Sequence, residues 1–269
     1  TKRKSLSPLP VLVAIAAVLF VTILIFDRPQ PEPEAVPEET VPVETQPVYA
    51  TPSMPAQRLA VFAQMQGLSL DFWPEDMIEL LNKNPDAEEY GFNYPIFKGT
   101  EREADLSSLV GTGEVPKLYQ WDFRWGYSQY GDKELGLTGC GPTCLSMACL
   151  YFLEDAKYTP RYVADFAEDN DYYEIGYGSK WTLMSEGAEA LGLDSEATYV
   201  DANWFMQNLE AGNLLILSMG PGIFTESGHF ILLTGVKDGM VMINDPNSKT
   251  NSEKLWDVET FLDEIDNVW

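Results

Sequence analysis

The sequence contains few basic side chains. Its 269 residues include 17 lysines and arginines against 42 aspartates and glutamates, so the formal net charge is -25. Because phosphate binding needs clustered lysine and arginine, this scattered basic minority argues against nucleic acid as a partner. The excess of carboxylates is typical of a solvated protein surface.

Histidine and cysteine are also scarce, with one histidine and three cysteines. Cys140, Cys144 and Cys149 fall within one predicted helix, and an odd number on a single helix is a poor disulfide framework. A zinc site would combine them with His229, but Cys149 lies about 180° around the helix from Cys140, and structural zinc needs four convergent ligands. We therefore expect no metal site, and any imidazole base has to be His229.

An uncharged apolar run, LPVLVAIAAVLFVTILIF, covers residues 9–26. It is long enough to cross the hydrocarbon core of a membrane as a helix. The Lys-Arg-Lys flank at residues 2–4 favours a cytoplasmic N-terminus, and the lack of an A-x-A site argues against a cleaved signal peptide. We predict a cytoplasmic stub, residues 1–8, a single-pass signal anchor in the cell membrane, and an extracellular remainder.

Two segments separate this run from the folded domain. Residues 27–56 alternate proline with Glu, Val and Thr, have no apolar face, and should form an extended extracellular stalk. Residues 57–116 are predicted to be a helical N-terminal extension, with two short helices in AQRLAVFAQM and PEDMIELL and with Pro74 in a first turn. After Asn84, proline and glycine signals predict an irregular chain up to the domain at 117–269.

The folded domain is expected to have helices first and strands second. Capping residues and apolar spacing predict three helices, at 159–166 with Thr159 as cap, 181–191, and 201–209 with Asp201 as cap. Short apolar runs bounded by Gly, Pro or Asp predict three buried strands, at 213–219, 229–236 and 240–245. A last helix is expected at 258–265. Helices followed by antiparallel strands indicate an α+β fold.

Cys140 begins the apolar helical run GCGPTCLSMACLYF. Pro142 is tolerated in a first turn, where its missing N–H would be unpaired anyway. Free backbone N–H groups and the helix dipole stabilise a thiolate at this end, and the two flanking glycines should leave room for a substrate backbone. Cys140 is therefore the candidate nucleophile, whereas the other two cysteines are expected to be buried packing residues.

His229 and Asp245 are the candidates for a base and its orienting group. Lys-Asp-Gly at 237–239 predicts a three-residue hairpin loop, and counting back along the ladder pairs Ile231 with Asp245. Side chains alternate, so Asp245 would share a face with His229, within the diagonal reach of roughly 7 to 8 Å. A two-residue loop would put Asp245 on the wrong face. Each residue alone also fits a structural role, His229 at a strand end and Asp245 in a turn.

The order Cys, His, Asp resembles that of the papain-like cysteine peptidases. The motifs QWDFRWG, GCGPTCLSMA, GHFILLTG and INDPNS more narrowly resemble the bacterial branch related to the bacteriocin-processing, double-glycine peptidases, family thirty-nine of the cysteine peptidases. The similarity runs from about Leu118 to Trp269. The preceding segment, which includes ELLNKNPDAEEY, is similar to the leader of anchored Gram-positive proteins of this kind. The resemblance implies a papain-like fold and peptidase activity without a cofactor.

The resemblance also implies a role for each candidate residue. Cys140 matches the nucleophile, His229 the general base and later acid, and Asp245 the orienting residue. Gln120, in YQWD, matches the glutamine whose side-chain amide joins the Cys140 backbone N–H in an oxyanion hole. Such donors stabilise charge that develops only in the tetrahedral intermediate.

The function that we expect from the sequence is a membrane-anchored extracellular cysteine peptidase acting on a peptide or protein substrate. Two alternatives remain. One is a cell-wall peptide amidase of the NlpC type, which shares the Cys-then-His order. The other is a non-catalytic surface binding module with the same fold, against which the intact Cys, His and Asp set argues.

Overall fold

The computed structural model describes residues 55–198 and 200–269. The predicted stub, the signal anchor at 9–26 and nearly all of the stalk at 27–56 lie outside these residues. Within the described part of the chain, none of the helices combines the length and apolar character needed to cross a membrane.

The N-terminal extension contains three helices, α1 (Pro55–Gln66), α2 (Glu75–Lys83) and α3 (Glu88–Phe97). The first two were predicted, although Pro74 caps α2 and does not lie in its first turn. The prediction of an irregular chain is wrong for α3, which continues despite an internal proline, Pro95. Pro95 cannot donate to the Gly91 carbonyl, but the Trp73 indole Nε1 donates to that oxygen at 2.8 Å. A contact from outside the helix thus satisfies the group that proline leaves unpaired.

The extension packs against the segment that leads to Cys140. Leu59, Met77 and Tyr94 are fully buried in one apolar cluster with Trp121 and Tyr127. Its tyrosine hydroxyl groups add polar contacts, since the Tyr94 hydroxyl donates to Glu134 Oε1 at 2.7 Å. The extension therefore shares a core with the domain that follows it.

The next part of the chain is mainly helical. Its helices are α4 (Leu135–Thr138), α5 (Cys140–Leu153), α6 (Pro160–Asp169), α7 (Glu186–Leu191) and α8 (Ala202–Glu210). Thr159 Oγ1 caps α6 and Asp201 Oδ1 caps α8, as predicted. The helix predicted at 181–191 is shorter, because Ser185 leaves the helical region between a 3₁₀ turn and α7. Two short hairpins were not predicted, β1 (Gln129–Tyr130) with β2 (Lys133–Glu134) and β3 (Tyr173–Glu174) with β4 (Gly178–Ser179).

A five-stranded antiparallel sheet follows, in the order β8-β7-β6-β5-β9. Its strands are β5 (Leu215–Met219), β6 (His229–Lys237), β7 (Met240–Asn244), β8 (Leu255–Trp256) and β9 (Ile265–Val268). Short helices α9 (Lys249–Ser252) and α10 (Glu259–Leu262) lie between the later strands. The predicted α+β class is confirmed. The helix predicted at 258–265 is wrong beyond α10, because β9 pairs with the open edge of β5 and buries Val268.

Helices cover both faces of the sheet. Ile216, Phe230 and Leu232 pack in one apolar cluster with buried residues of α5. The alternate residues of the same strands, such as Leu217 and Ile231, pack in a second cluster with α8. Since α5 begins at Cys140 and β6 begins at His229, this packing brings the two starts together.

The β6–β7 hairpin differs from the predicted one in two places. Its loop has two residues, Asp238 and Gly239, both with positive φ (54° and 76°), and Lys237 pairs with Met240. Positive φ at both loop positions is typical of a type I′ turn. A β-bulge at Thr234 then shifts the register by one residue, so that Leu232 pairs with Asn244.

The loop and the bulge have opposite effects on the register. A two-residue loop alone would put Asp245 on the wrong face, as the sequence argument anticipated. The extra residue in β6 reverses that change, and continuing the register by one residue places Asp245 opposite Ile231. The prediction of the loop is wrong, but the pairing that it was used to derive is recovered.

Candidate active site

Cys140 is the first residue of α5 and differs in its surroundings from the other cysteines of this helix. All three thiols are free, and Cys140 is partly exposed whereas Cys144 and Cys149 are buried. Burial raises the pKa of Cys144 well above its usual value and that of Cys149 to about 12. Of the three, Cys140 is the one that combines partial exposure with a lowered pKa, the properties of a reactive thiol.

The pKa of the Cys140 thiol is lowered although burial acts to raise it. The hydrogen bond and charge of His229 outweigh burial, and backbone N–H groups of Phe230 and Gly141 add to the effect. These donors belong to the first turn of α5 and to the strand that begins beside it. The first turn of α5 and the start of β6 therefore both contribute N–H groups that stabilise the negative charge of a Cys140 thiolate.

His229 lies between Cys140 and Asp245. Its Nε2 is 2.8 Å from Asp245 Oδ1, which leaves Nδ1 for the hydrogen bond with the thiol. Burial acts to lower the pKa of His229, but the charge and hydrogen bond of Asp245, followed by those of Cys140, raise it to about 10. The lowered pKa of Cys140 and the raised pKa of His229 both favour the thiolate and imidazolium pair over the neutral pair.

Asp245 is almost fully buried, and its carboxylate accepts three hydrogen bonds. Oδ1 accepts from His229 and from the Asn247 backbone N–H, at 2.8 Å each, and Oδ2 accepts from Asn251 Nδ2 at 2.8 Å. Its own N–H donates to Ser252 Oγ at 2.9 Å. Burial raises the pKa of the carboxyl, but the His229 charge and these donors lower it overall, so Asp245 stays ionised.

Asn247, Asn251 and Ser252 were not predicted to be partners of Asp245. The signal available was the polar run NDPNS, in which the Asn247 N–H donates to Asp245 Oδ1, a pattern typical of a turn. The Asp245 carboxylate therefore does both things that were considered for it: it stabilises a turn and it contacts His229.

Gln120 is buried, and it contacts both the segment before Cys140 and the loop after Asp245. Its backbone N–H donates to the Pro246 carbonyl at 2.8 Å, directly after Asp245, and its Nε2 donates to the Gly136 carbonyl at 3.0 Å, four residues before Cys140. A primary amide has two N–H groups, so one remains beyond the bond to Gly136. Within the described part of the chain, Gln120 Oε1 has no hydrogen-bond partner. The role of Gln120 in an oxyanion hole stays a prediction.

The two glycines beside Cys140 serve the packing of the protein itself. A Cβ at Gly141 would lie 2.5 Å from Ser179 Oγ, and one at Gly139 would overlap the backbone and side chain of Leu135. The prediction that both leave room for a substrate is therefore wrong. The structure also shows that the β3–β4 hairpin approaches the start of α5, where Ser179 Oγ is 2.7 Å from the Tyr130 hydroxyl.

No cluster of three or more His, Cys, Asp or Glu residues able to hold a metal ion occurs in 55–198 and 200–269. The zinc alternative raised by the cysteines and His229 therefore gains no support within these residues.

Comparison with known proteins identifies one family. The model of the Peptidase_C39 like family matches residues 112–269, more than half of the chain. No curated protein matches the chain. Among solved structures, the chain is similar to the peptidase domain of Streptococcus ComA, described as a bi-functional ABC transporter involved in a quorum sensing pathway. The two are 17% identical, the match covers 49% of this chain and 88% of that one, and the TM-score is 0.37.

Proposed function

Since the chain belongs to the Peptidase_C39 like family and is a cysteine-type peptidase, we propose that it cleaves peptide bonds with Cys140, His229 and Asp245 as a catalytic triad. The observation that carries this proposal is the environment of the single histidine. One ring nitrogen is 2.8 Å from a buried, ionised Asp245 and the other meets a helix-start thiol with a lowered pKa. These are the contacts that an activated nucleophile and its base require.

The first half of the reaction forms an acyl-enzyme. The Cys140 thiolate attacks the carbonyl carbon of the scissile bond, a C–S bond forms, and the carbonyl electron pair moves onto oxygen. In this proposal the Cys140 backbone N–H and the second N–H of the Gln120 side-chain amide stabilise that oxyanion. His229 then gives its proton to the leaving nitrogen as the C–N bond breaks, which releases an amine and leaves a thioester.

The second half returns the enzyme to its starting state. Neutral His229 takes a proton from water while the water oxygen attacks the thioester carbonyl. Collapse of the tetrahedral intermediate breaks the C–S bond, releases a carboxylic acid and restores the thiolate beside the imidazolium. Throughout, Asp245 stabilises the charged ring and keeps Nδ1 directed at the sulfur.

The location of the enzyme is a second part of the proposal. The uncharged run at 9–26 and the Lys-Arg-Lys flank support a signal anchor that holds the peptidase outside the cell. Protease added to intact cells should then remove the folded domain and leave a short membrane-bound N-terminal fragment. Protection of the domain in intact cells, with cleavage only after lysis, would contradict this location.

Covalent labelling tests the catalytic proposal. A limiting amount of iodoacetamide should modify Cys140 before Cys144 and Cys149, and a peptidyl electrophile directed at thiols should form an adduct at Cys140 alone, as mapped by mass spectrometry. Profiling the full chain and its Cys140→Ala variant against a peptide library and muropeptides then separates the functions. Cleavage of muropeptides alone would favour the amidase. Ligand binding without cleavage or adduct would favour a binding module.

A further inference from the structure

The loop after Asp245 supplies most of the contacts that hold this carboxylate. Residues 246–252 contribute the Asn247 N–H and the Asn251 amide, which donate to the carboxylate, and the Ser252 hydroxyl oxygen, which accepts from the Asp245 backbone N–H. The last two belong to α9, a helix of one turn. Because a single turn is unstable on its own, contacts from elsewhere must fix its position.

Two residues of the N-terminal extension make such contacts. Asp86 Oδ2 accepts from the backbone N–H groups of Lys249 at 3.0 Å and Thr250 at 3.3 Å, at the start of α9. Asn84 Nδ2 donates to the Asn247 carbonyl oxygen and, at 3.2 Å, to its Oδ1. Asn84 and Asp86 lie about 160 positions before the loop that they hold, as both contacts span 163 residues.

The segment that carries these two residues is itself well fixed. Asn84 Oδ1 accepts from the Asp86 N–H at 3.0 Å, and Pro85 begins the 3₁₀ turn between α2 and α3. Leu81 and Ala87, on either side, are fully buried in the core that the extension shares with the domain. A rigid turn thus presents an amide and a carboxylate to the loop.

We propose that Asn84 and Asp86 are positioning residues for catalysis, through which the N-terminal extension holds α9 and, through α9, Asp245 against His229. The proposal rests on the triad proposed above. The series of contacts runs from Asp86 to the first N–H groups of α9, from Asn251 of α9 to Asp245 Oδ2, and from Asp245 Oδ1 to His229. The extension then belongs to the catalytic unit, although it touches no reacting atom.

The test uses the full chain and four variants. Asp86→Ala removes the acceptor of the two hydrogen bonds from the start of α9, and Asp86→Asn keeps an acceptor oxygen there. Asn84→Ala removes the contact with Asn247. Asp76→Ala is the matched control, because Asp76 is also an extension carboxylate that pairs with the domain, through Lys133, but not with residues 246–252. The readouts are kcat and KM for a peptide from the library screen, the rate of iodoacetamide alkylation of Cys140 at neutral pH, and the thermal unfolding midpoint.

Asp86→Ala and Asn84→Ala should each lower kcat by roughly 10-fold with KM changed by less than about twofold, the size typical of a lost supporting contact. Cys140 should also be alkylated more slowly, because a less well-held Asp245 stabilises the imidazolium and thus the thiolate less. Asp86→Asn should restore most of kcat, and Asp76→Ala should match the unaltered chain.

Unchanged kcat and alkylation in folded Asp86→Ala and Asn84→Ala would overturn the proposal. So would equal losses in Asp76→Ala, which would indicate a general effect of weakening the extension. If Asp86→Ala does not fold, Asn84→Ala decides by the same readouts. Cys140→Ala keeps the two proposals separate: activity in that variant refutes the triad, whereas an inactive Cys140→Ala with full activity in the extension variants refutes only the positioning role.

Discussion

The two sides of the site are built by different means. Cys140 begins a 14-residue helix in which every residue from Gly141 to Leu150 is buried, so apolar packing fixes its position. Asp245 precedes a polar loop and a one-turn helix. Hydrogen bonds that Asn84 and Trp121 donate and that Asp86 accepts hold them in place. The nucleophile is therefore positioned by the core of its own helix, and the orienting carboxylate by polar groups distant in sequence. Changes on the two sides should affect stability and activity in different proportions.

The largest expected effect comes from removing the groups that the two sides bring together. Cys140→Ala and His229→Ala should each lower kcat by roughly 10⁴-fold or more, and the double variant should lose little further, because residues that act as a unit are not additive. Steady-state kinetics on a cleaved peptide measures this. Cys144→Ala, in the same helix, is the control and should keep most of its activity. Additive losses in the double variant would indicate that the two residues act independently.

Gln120 connects the two sides, and its variant should have the next largest effect. Gln120→Ala should lower kcat by roughly 100-fold or more if the amide donates to the oxyanion, with KM little changed. Gln120→Glu keeps the shape but replaces the donor by an acceptor, and should be at least as slow. A loss confined to KM would place Gln120 in substrate binding only.

Asp245→Asn tests the charge on the polar side while keeping most of its contacts. It should lower kcat between roughly 10- and 100-fold, since the amide oxygen can still accept from the ring. Its effect on pH dependence is more diagnostic. Activity needs the thiolate and the imidazolium, so it is lost as pH falls through the pKa of Cys140 and again as pH rises through that of His229, about 10.

Loss of the Asp245 charge removes a main cause of the raised His229 pKa. The alkaline limb should therefore move to lower pH, which narrows the active range at its alkaline end. A pH profile of kcat/KM for the unaltered chain and for Asp245→Asn shows this narrowing. An unshifted alkaline limb would mean that another group sets it.

The smallest effects should separate packing from polar support most directly. Leu145→Ala removes a fully buried side chain of α5 and should lower the free energy of unfolding by about 2 to 5 kcal/mol, with kcat little changed in the folded protein. Asn251→Ala removes one donor to Asp245 and should lower kcat by roughly 10-fold or less while costing only about 1 kcal/mol of stability. Denaturant unfolding and kinetics on the same samples compare them. The reverse pattern would contradict the division between the two sides.

The difference between the apolar Cys140 side and the polar Asp245 side also explains which parts of the structure could be predicted from the sequence. The start of α5, the caps Thr159 and Asp201 and the buried strands follow from local patterns, and the structure contains them. The long-range hydrogen bonds that hold the loop after Asp245 cannot be predicted from such patterns. In sequence, Asn84, Pro85 and Asp86 form an ordinary turn signal, and only the fold places them beside Lys249.

Helix α3 illustrates a related limit. Pro95 is a valid signal for a helix end, but the indole of Trp73, distant in sequence, satisfies the Gly91 carbonyl that Pro95 leaves unpaired. A local rule fails where a tertiary contact replaces the missing hydrogen bond. The glycines beside Cys140 fail as indicators of a substrate path for the same reason, because neighbouring protein atoms occupy the space around them.

The bulge at Thr234 has a consequence for how this hairpin can change in length. Deleting Thr234 alone would turn Asp245 to the opposite face, whereas deleting it and inserting one residue between Asp238 and Gly239 would restore the original pairing. The constraint therefore falls on the separation of 16 between His229 and Asp245, and not on the turn or the bulge individually. Insertions and deletions in this hairpin should be tolerated in compensating pairs, so a one-residue gap in its turn is no evidence that a homologue has lost the triad.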